Sequence, residues 1–584
     1  MVYNPSIAMK SFLRKHYLFL IVVVLLNFFI VSDYFFHGTK PANFDAIAHV
    51  TTIAQFHKAM SDGEFPVAWG DGFANYGLPL GTIAHQLPAY VGGLLTFVTN
   101  DPLLSFNIVY LISAVASAIL FYAFLSLFFS SETVLLATIF YSLAPYRIMN
   151  LYMRGAMPEF ASAMWVPLLL IAMYFIQKNG RFLWYFIFGL GVLGLILTHP
   201  MMLIVYAPLL GIWALLMFRA NLRIWLKVIV TAVAALFISA YYFLPLNLEV
   251  KYLYYGSMPN YYSRNQTTSI ETFFNPVWQY NCVYRNDIFG RCQLTKGGVT
   301  ETAIMILLLG VGLSIFLHKK RIGRYLHKMR AQWDHYLASS LITNLFLFTL
   351  IGASVSIFFS SIALEPLYER IKIMSSIQYP WRFLSSYLFL PPIALAIMFE
   401  FIRAKKWSNY LWYGLVIFIV FARFPQLYAK NYTHIPTADY YFTPYNLHSL
   451  TMNTKWSGDS RDYPIRRQKA EIIRGKGIII NRVLKNASRT YTILAETELQ
   501  VSDNTFYFPG WKVYIDGKET TIEFQDPAYR GVITFTVPPG THEVRVVYED
   551  TKVRALGKVI TAVSFTLLLA LGLLVLIKKK KASV

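Results

Sequence analysis

The sequence predicts an α-helical polytopic membrane protein of about twelve transmembrane helices, joined to an extracytoplasmic all-β domain of sandwich or jelly-roll type. Three observations predict it. The 584 residues are 56% hydrophobic and only 14% charged, a balance foreign to soluble globules of this size. Apolar runs of about 20 residues, the length that crosses a hydrocarbon core, recur from Tyr17 to Ile577. Between Tyr428 and Asp550 the pattern changes to alternation punctuated by turn residues.

The predicted spans are 17–36, 103–129, 133–150, 158–177, 182–197, 200–218, 224–246, 300–317, 337–359, 384–402, 408–424 and 556–577. The first follows Lys10, Arg14 and Lys15 and reads as a retained helix, since one signal peptide does not explain so many runs. A net charge of +22 suggests nucleic acid in a soluble chain, but its distribution gives it another meaning. With the N-terminus in the cytoplasm, the short inner segments carry 21 Lys and Arg, against 10 in the outer loops 147–157, 247–299 and 360–383. That is the asymmetry of the positive-inside rule. It places both termini in the cytoplasm of a multi-pass protein of the cell (inner or plasma) membrane. Anionic lipid headgroups are then the partner of the basic excess, and no nucleic acid is implied.

Residues 1–427 form the predicted membrane domain, whose first outer loop, 37–102, is too long for a simple turn. Asn43 is a candidate cap for an amphipathic helix from Phe44 to about Met60. Gln86 to Thr99 reads as a re-entrant or interfacial segment, or as an extra span. Cys282 and Cys292 share the outer loop 247–300. A disulfide between them is the natural reading in an oxidising compartment, with two unpaired thiols as the alternative because spacing alone proves no bond. The predicted β domain, 428–555, contains a strand ending in the Asp516-Gly517 turn, and two strands joined by Pro538-Pro539-Gly540. Residues 556–584 supply a last span and the basic tail Lys578 to Lys581.

Nucleotide-binding loops, dinucleotide fingerprints, nucleophile elbows and paired Cys-x-x-Cys motifs are missing from the sequence. The candidate chemistry lies in polar residues at outer helix ends. Asp45 and His49 are four apart and share a helical face. The carboxylate suits a general base towards a hydroxyl, with the imidazole orienting it or helping to hold a divalent metal. The plain alternative, slightly favoured by spacing alone, is a helix-terminus charge and a solvated histidine. Arg154 and Glu159 flank Gly155 to Pro158. They either pair with each other or bind a ligand, the guanidinium matching phosphate geometry. His199 precedes Pro200 and Arg382 follows Trp381. Their plain roles are satisfying freed carbonyls and snorkelling. Glu64, Asp71 and Asp287 read as ordinary exposed acids.

Phe44-Asp45 through His49, Trp69, Asn75 to Pro79, Arg154 to Glu159, Thr198-His199 and Tyr379 to Phe383 occur in an order that resembles bacterial membrane proteins labelled "6-pyruvoyl-tetrahydropterin synthase-related". These look like members of the GT-C glycosyltransferase superfamily rather than pterin enzymes. Phe508 to Trp511, Asp516-Gly517 and Pro539 to His542 are similar to the tail of YfhO-type proteins. The resemblance spans most of the chain. It implies transfer of a sugar from a polyprenyl-phosphate carrier to a polysaccharide, lipid or protein acceptor of the cell envelope. It also implies that Asp45 is the base, where many members carry two adjacent acids. On this reading His49 assists Asp45, while Arg154, Glu159, His199 and Arg382 contact substrate. A lipid or glycolipid transporter or flippase is the first alternative, for which the sequence shows neither convincing charges within spans nor two interrupted halves. A non-enzymatic envelope-assembly protein is the second, and it needs no Asp45.

Overall fold

The computed structural model describes residues 5–36, 40–41, 45–73, 75–254, 267–268, 271–274, 298–317, 340–429, 432–433, 453–457, 463 and 468–581. Among them, six helices are long and apolar enough to cross a membrane: Pro102–Leu125, Met157–Asn179, Pro200–Phe218, Leu341–Ser360, Pro380–Ile402 and Lys552–Gly572. Two bent pairs raise the number to eight if each is one span, and His16–Val31, Phe182–Thr198 and Val299–Leu313 are shorter apolar helices. Leu556, Val559, Val563 and Leu567 on the last helix are exposed, as a lipid-facing helix requires. The protein is membrane-embedded and mostly helical, with a C-terminal β region. Helices occupy all twelve intervals expected from the sequence, but among the described residues eight at most meet the length and composition needed for a span by themselves.

The first of the two bends has a local cause. Ser131–Ser142 continues into Pro145–Arg154 at 41°. Pro145 lacks an N–H and forces Ala144 into an extended conformation with ψ 138. The second bend, 77°, falls at Ser239 between Leu222–Ile238 and Ala240–Leu248. The helix Gln86–Thr99 has 14 residues, about 21 Å at the helical rise, short of a 30 Å core. It packs on helix Ala46–Ser61 while Leu94, Phe97 and Val98 stay exposed.

In the β region two antiparallel sheets face each other. One has the order Gly477–Leu484, Ser488–Ala495, Gly540–Tyr548, Trp511–Ile515, Lys518–Thr520; the other runs Ala470–Arg474, Leu499–Phe506, Val532–Val537. Tyr491, Ile493, Val513, Val544 and Val546 of the first meet Val501, Ile533 and Phe535 of the second in one core. Asp516 (φ 49) and Gly517 (φ 81) both take positive φ, the tight hairpin turn their sequence demands. The strands flanking Pro538-Pro539-Gly540 do not pair with each other, since one belongs to each sheet. The turn is a corner between layers.

The first outer loop is built into this domain. Trp69 packs against Trp511 and Tyr548, with ring centres 5.1 and 5.0 Å away. Asp71 bonds Arg489, with Lys469 at 2.7 Å and Lys58 at 3.4 Å; Arg489 continues to Asp503. Asn486 donates to the Trp69 carbonyl and the Glu64 carboxylate, and accepts from the Asp71 N–H. The expectation of ordinary exposed acids is therefore wrong for Asp71, which is buried, and for Glu64, which is half-buried. Lys58 is close by in sequence, but Asn486 and Arg489 lie more than four hundred residues away from these acids. Asp287, Cys282, Cys292, Asn43 and Phe44 lie outside the described residues.

Candidate functional site

The site begins with an irregular turn. After Pro145 the chain completes a short α-helix and then widens into a π-helix, Met149–Arg154, that ends at Gly155 with φ 66. Such a positive φ suits glycine at a helix end. A π turn misaligns backbone groups, and tyrosines satisfy two of them: Tyr34 donates to the Leu151 carbonyl and Tyr110 to that of Asn150. The Arg154 carbonyl accepts the Asp45 N–H at 2.8 Å. This bond ties the first outer loop to the bundle.

Glu159, in the first turn of the next helix, holds the centre. Its carboxylate meets Arg154 at 2.8 Å and Arg382 at 3.2 Å. Tyr146 (2.7 Å) and Asn150 (3.1 Å) also donate to it. All three charged residues are buried. A buried carboxylate with two guanidinium partners and two further donors repays much of its desolvation. Arg154 lies over the Trp381 ring, and Arg382 over that of Tyr379. The structure thus shows the Arg154–Glu159 pairing, and Arg382 is paired rather than snorkelling. Arg147, Arg154, Glu159 and Arg382, all close to span ends, are buried within the bundle.

Asp45 occupies the N-cap position of helix Ala46–Ser61, yet its side chain makes no capping hydrogen bond. The described helix therefore begins after Asp45 rather than at Phe44, and the carboxylate is left for other work. It is only partly covered by protein. Crowding by the site walls nevertheless pushes it above the ordinary value of 3.8, against the pull of Arg154 and Arg382 and with the push of Glu159. One turn on, His49 lines a cleft together with Thr52, Phe73, His85, Met157 and Pro158. Burial holds its imidazole neutral, down to about 3, with Arg154 adding to the effect.

Three histidines converge here from distant segments. The rings of His49 and His85 lie 6.1 Å apart, and those of His85 and His199 stack at 4.3 Å. His199 makes no side-chain bond to carbonyls freed by Pro200, and its Nδ1 is buried without a partner, as is that of His85. Its position comes instead from Thr198, whose hydroxyl accepts from Trp165 at 2.9 Å. The indole can reach it because Gly194 has no Cβ, which would stand 2.5 Å from the ring.

All six sequence candidates thus lie in one region: Asp45, His49, Arg154, Glu159, His199 and Arg382. Sequence reading missed His85, Tyr146, Asn150 and Trp381 as members. His85 carried one signal, a polar His85-Gln86 pair at the start of a short apolar helix. Among the described residues, no three His, Cys, Asp or Glu side chains are grouped to hold a metal ion. Neither a protein family nor a curated protein matches the chain.

Proposed function

We propose that this protein is a glycosyltransferase of the cell (inner or plasma) membrane, with twelve spans and cytoplasmic termini. It moves a sugar from a polyprenyl-phosphate donor to an acceptor on the extracytoplasmic face. One observation carries the reading: a carboxylate without a capping bond, Asp45, is tethered through its backbone to Arg154 beside a cleft.

The chemistry follows from the groups present. As the acceptor oxygen attacks the anomeric carbon, its proton passes to Asp45. The carbon–oxygen bond to phosphate breaks and polyprenyl phosphate leaves with the electron pair. A base is most useful when its pKa lies near the working pH, so the upward push on Asp45 suits the role. Glu159 holds the Arg154 and Arg382 guanidinium groups in place, providing positive charge towards a departing phosphate.

The β region supports the reading by fixing the first outer loop, whose residues line most of the cleft. Trp69 and Asp71 hold the loop bearing Asp45 to Trp511 and Arg489 of the five-stranded sheet and to Asn486 beside it, so the domain serves the site and not only a distant partner. The deciding experiment incubates purified protein with a labelled polyprenyl-phosphate sugar and a panel of envelope acceptors. Transfer with release of polyprenyl phosphate supports the reading. Movement of the intact lipid between leaflets without release identifies a flippase, and neither activity identifies an assembly protein.

A further inference from the structure

The histidine cluster has more hydrogen-bonding capacity than the protein uses. A neutral imidazole offers one donor and one acceptor nitrogen, and neither His85 nor His199 forms a side-chain hydrogen bond among the described residues. The Nδ1 atoms of both are buried and unpartnered, and His199 is 7% exposed. Buried polar groups are nearly always satisfied. Two adjacent exceptions, stacked at 4.3 Å with His85 in the cleft wall, therefore call for a ligand.

Other groups fix these segments. Gln86 donates to the Leu80 and Ala84 carbonyls, and Trp165 anchors Thr198. The imidazoles are not needed to hold the backbone. The charges acting on His199 are those of Arg382 and Arg154. Glu159, the nearest acid to that pair, is occupied by both guanidinium groups. A cation entering here meets two arginines; an oxyanion meets two arginines and two imidazole donors. Burial keeps His85 neutral, down to about 3, so one N–H per ring remains without a competing counter-ion. The adjacent wall, formed by Phe73, Leu78, Leu80 and Ile83, suits an apolar chain.

We propose that His85 and His199 form a phosphoryl-oxygen-binding pair that holds the phosphate of a phosphorylated lipid where His85 lines the cleft. The inference rests on the reading of the cleft as a lipid-phosphate site, but it does not require that sugar transfer follow. His85 and His199 are positioning residues in this arrangement, with Asp45 left to move the proton.

The test uses full-length protein in nanodiscs and three probes: radiolabelled polyprenyl monophosphate, the same prenol without phosphate, and inorganic phosphate. His85→Phe and His199→Phe are each expected to weaken polyprenyl monophosphate binding about tenfold or more, the usual effect of losing a hydrogen bond to a charged group. Prenol binding should be unchanged. His85→Gln, which keeps a donor, should recover part of the affinity and keeps the test readable if a Phe variant does not fold. Melting temperatures should not fall, because no protein hydrogen bond is lost. Histidine-dependent competition by inorganic phosphate supports the oxyanion site and names free phosphate as a source; its absence assigns the site to the lipid. Wild-type affinity in the variants, or equal affinity for prenol and its phosphate, overturns the proposal. A drop in melting temperature with unchanged binding also overturns it. Histidine-dependent binding without any sugar transfer refutes the glycosyltransferase reading alone.

Discussion

Replacing Asp45 by Asn separates its chemistry from its place in the fold. The side chain caps nothing, so its structural contribution is limited to a charge near a helix N-terminus, about 0.3–1 kcal/mol. Burial opposes even that, because it raises the carboxyl above its ordinary value of 3.8. The sign follows directly. A carboxyl with a raised folded pKa favours the fold below its unfolded pKa, and this contribution is lost as pH rises through the folded pKa. At neutral pH the Asn variant should therefore melt at or slightly above the wild-type temperature. Catalysis should respond very differently. Loss of a general base typically costs about 10²–10⁴-fold in rate. In the wild type the acid limb of the rate profile should lie above pH 3.8, the direction in which Asp45 is displaced. The assay measures polyprenyl phosphate released from a labelled lipid-linked sugar across pH, beside donor binding and thermal melting. The Asn variant should bind donor and stay folded while its turnover collapses. Wild-type turnover in that variant, or an unaltered acid limb in its residual rate, would refute the reasoning.

Glu159→Gln leaves Arg154 and Arg382 buried without their shared carboxylate; loss of about 3–5 kcal/mol is expected, read as a lower melting temperature in detergent. Asp71→Asn should loosen the outer loop from the sheets, exposing the peptide around Trp69 to protease in sealed right-side-out cells. Burial raises the Asp71 carboxyl, but Arg489, Lys469 and Lys58 outweigh it and hold it well below the usual range. Its contribution is thus present above the ordinary Asp value and fades as pH falls below it, so wild type and Asn variant should converge in melting temperature only in strong acid. If Cys282 and Cys292 are bridged, the 11-residue loop they close constrains the unfolded chain by about 3 kcal/mol, and thiol reagents should label neither before reduction. A reporter fused after Val584 should be active only as a cytoplasmic fusion; activity confined to the outside would overturn the topology.

Local properties were legible without a structure. Whether a segment can enter lipid depends on its own length and composition, so the apolar helices could be read directly. The same holds for the Asp516-Gly517 turn, because positive φ is a local preference. What the groups of the site do depends on their surroundings. Glu159 follows Arg154 by five positions, off the usual helical spacing, and only the π-helix and the break at Gly155 bring the two together. Asp71 looks like any exposed acid until Lys469 and Arg489 arrive from the other end of the chain. His49, His85 and His199 come from three segments whose spacing has no period. Burial, pairing and field are set by neighbours distant in sequence, so tertiary packing alone decided which polar residues are paired ions and which keep unused hydrogen-bonding capacity.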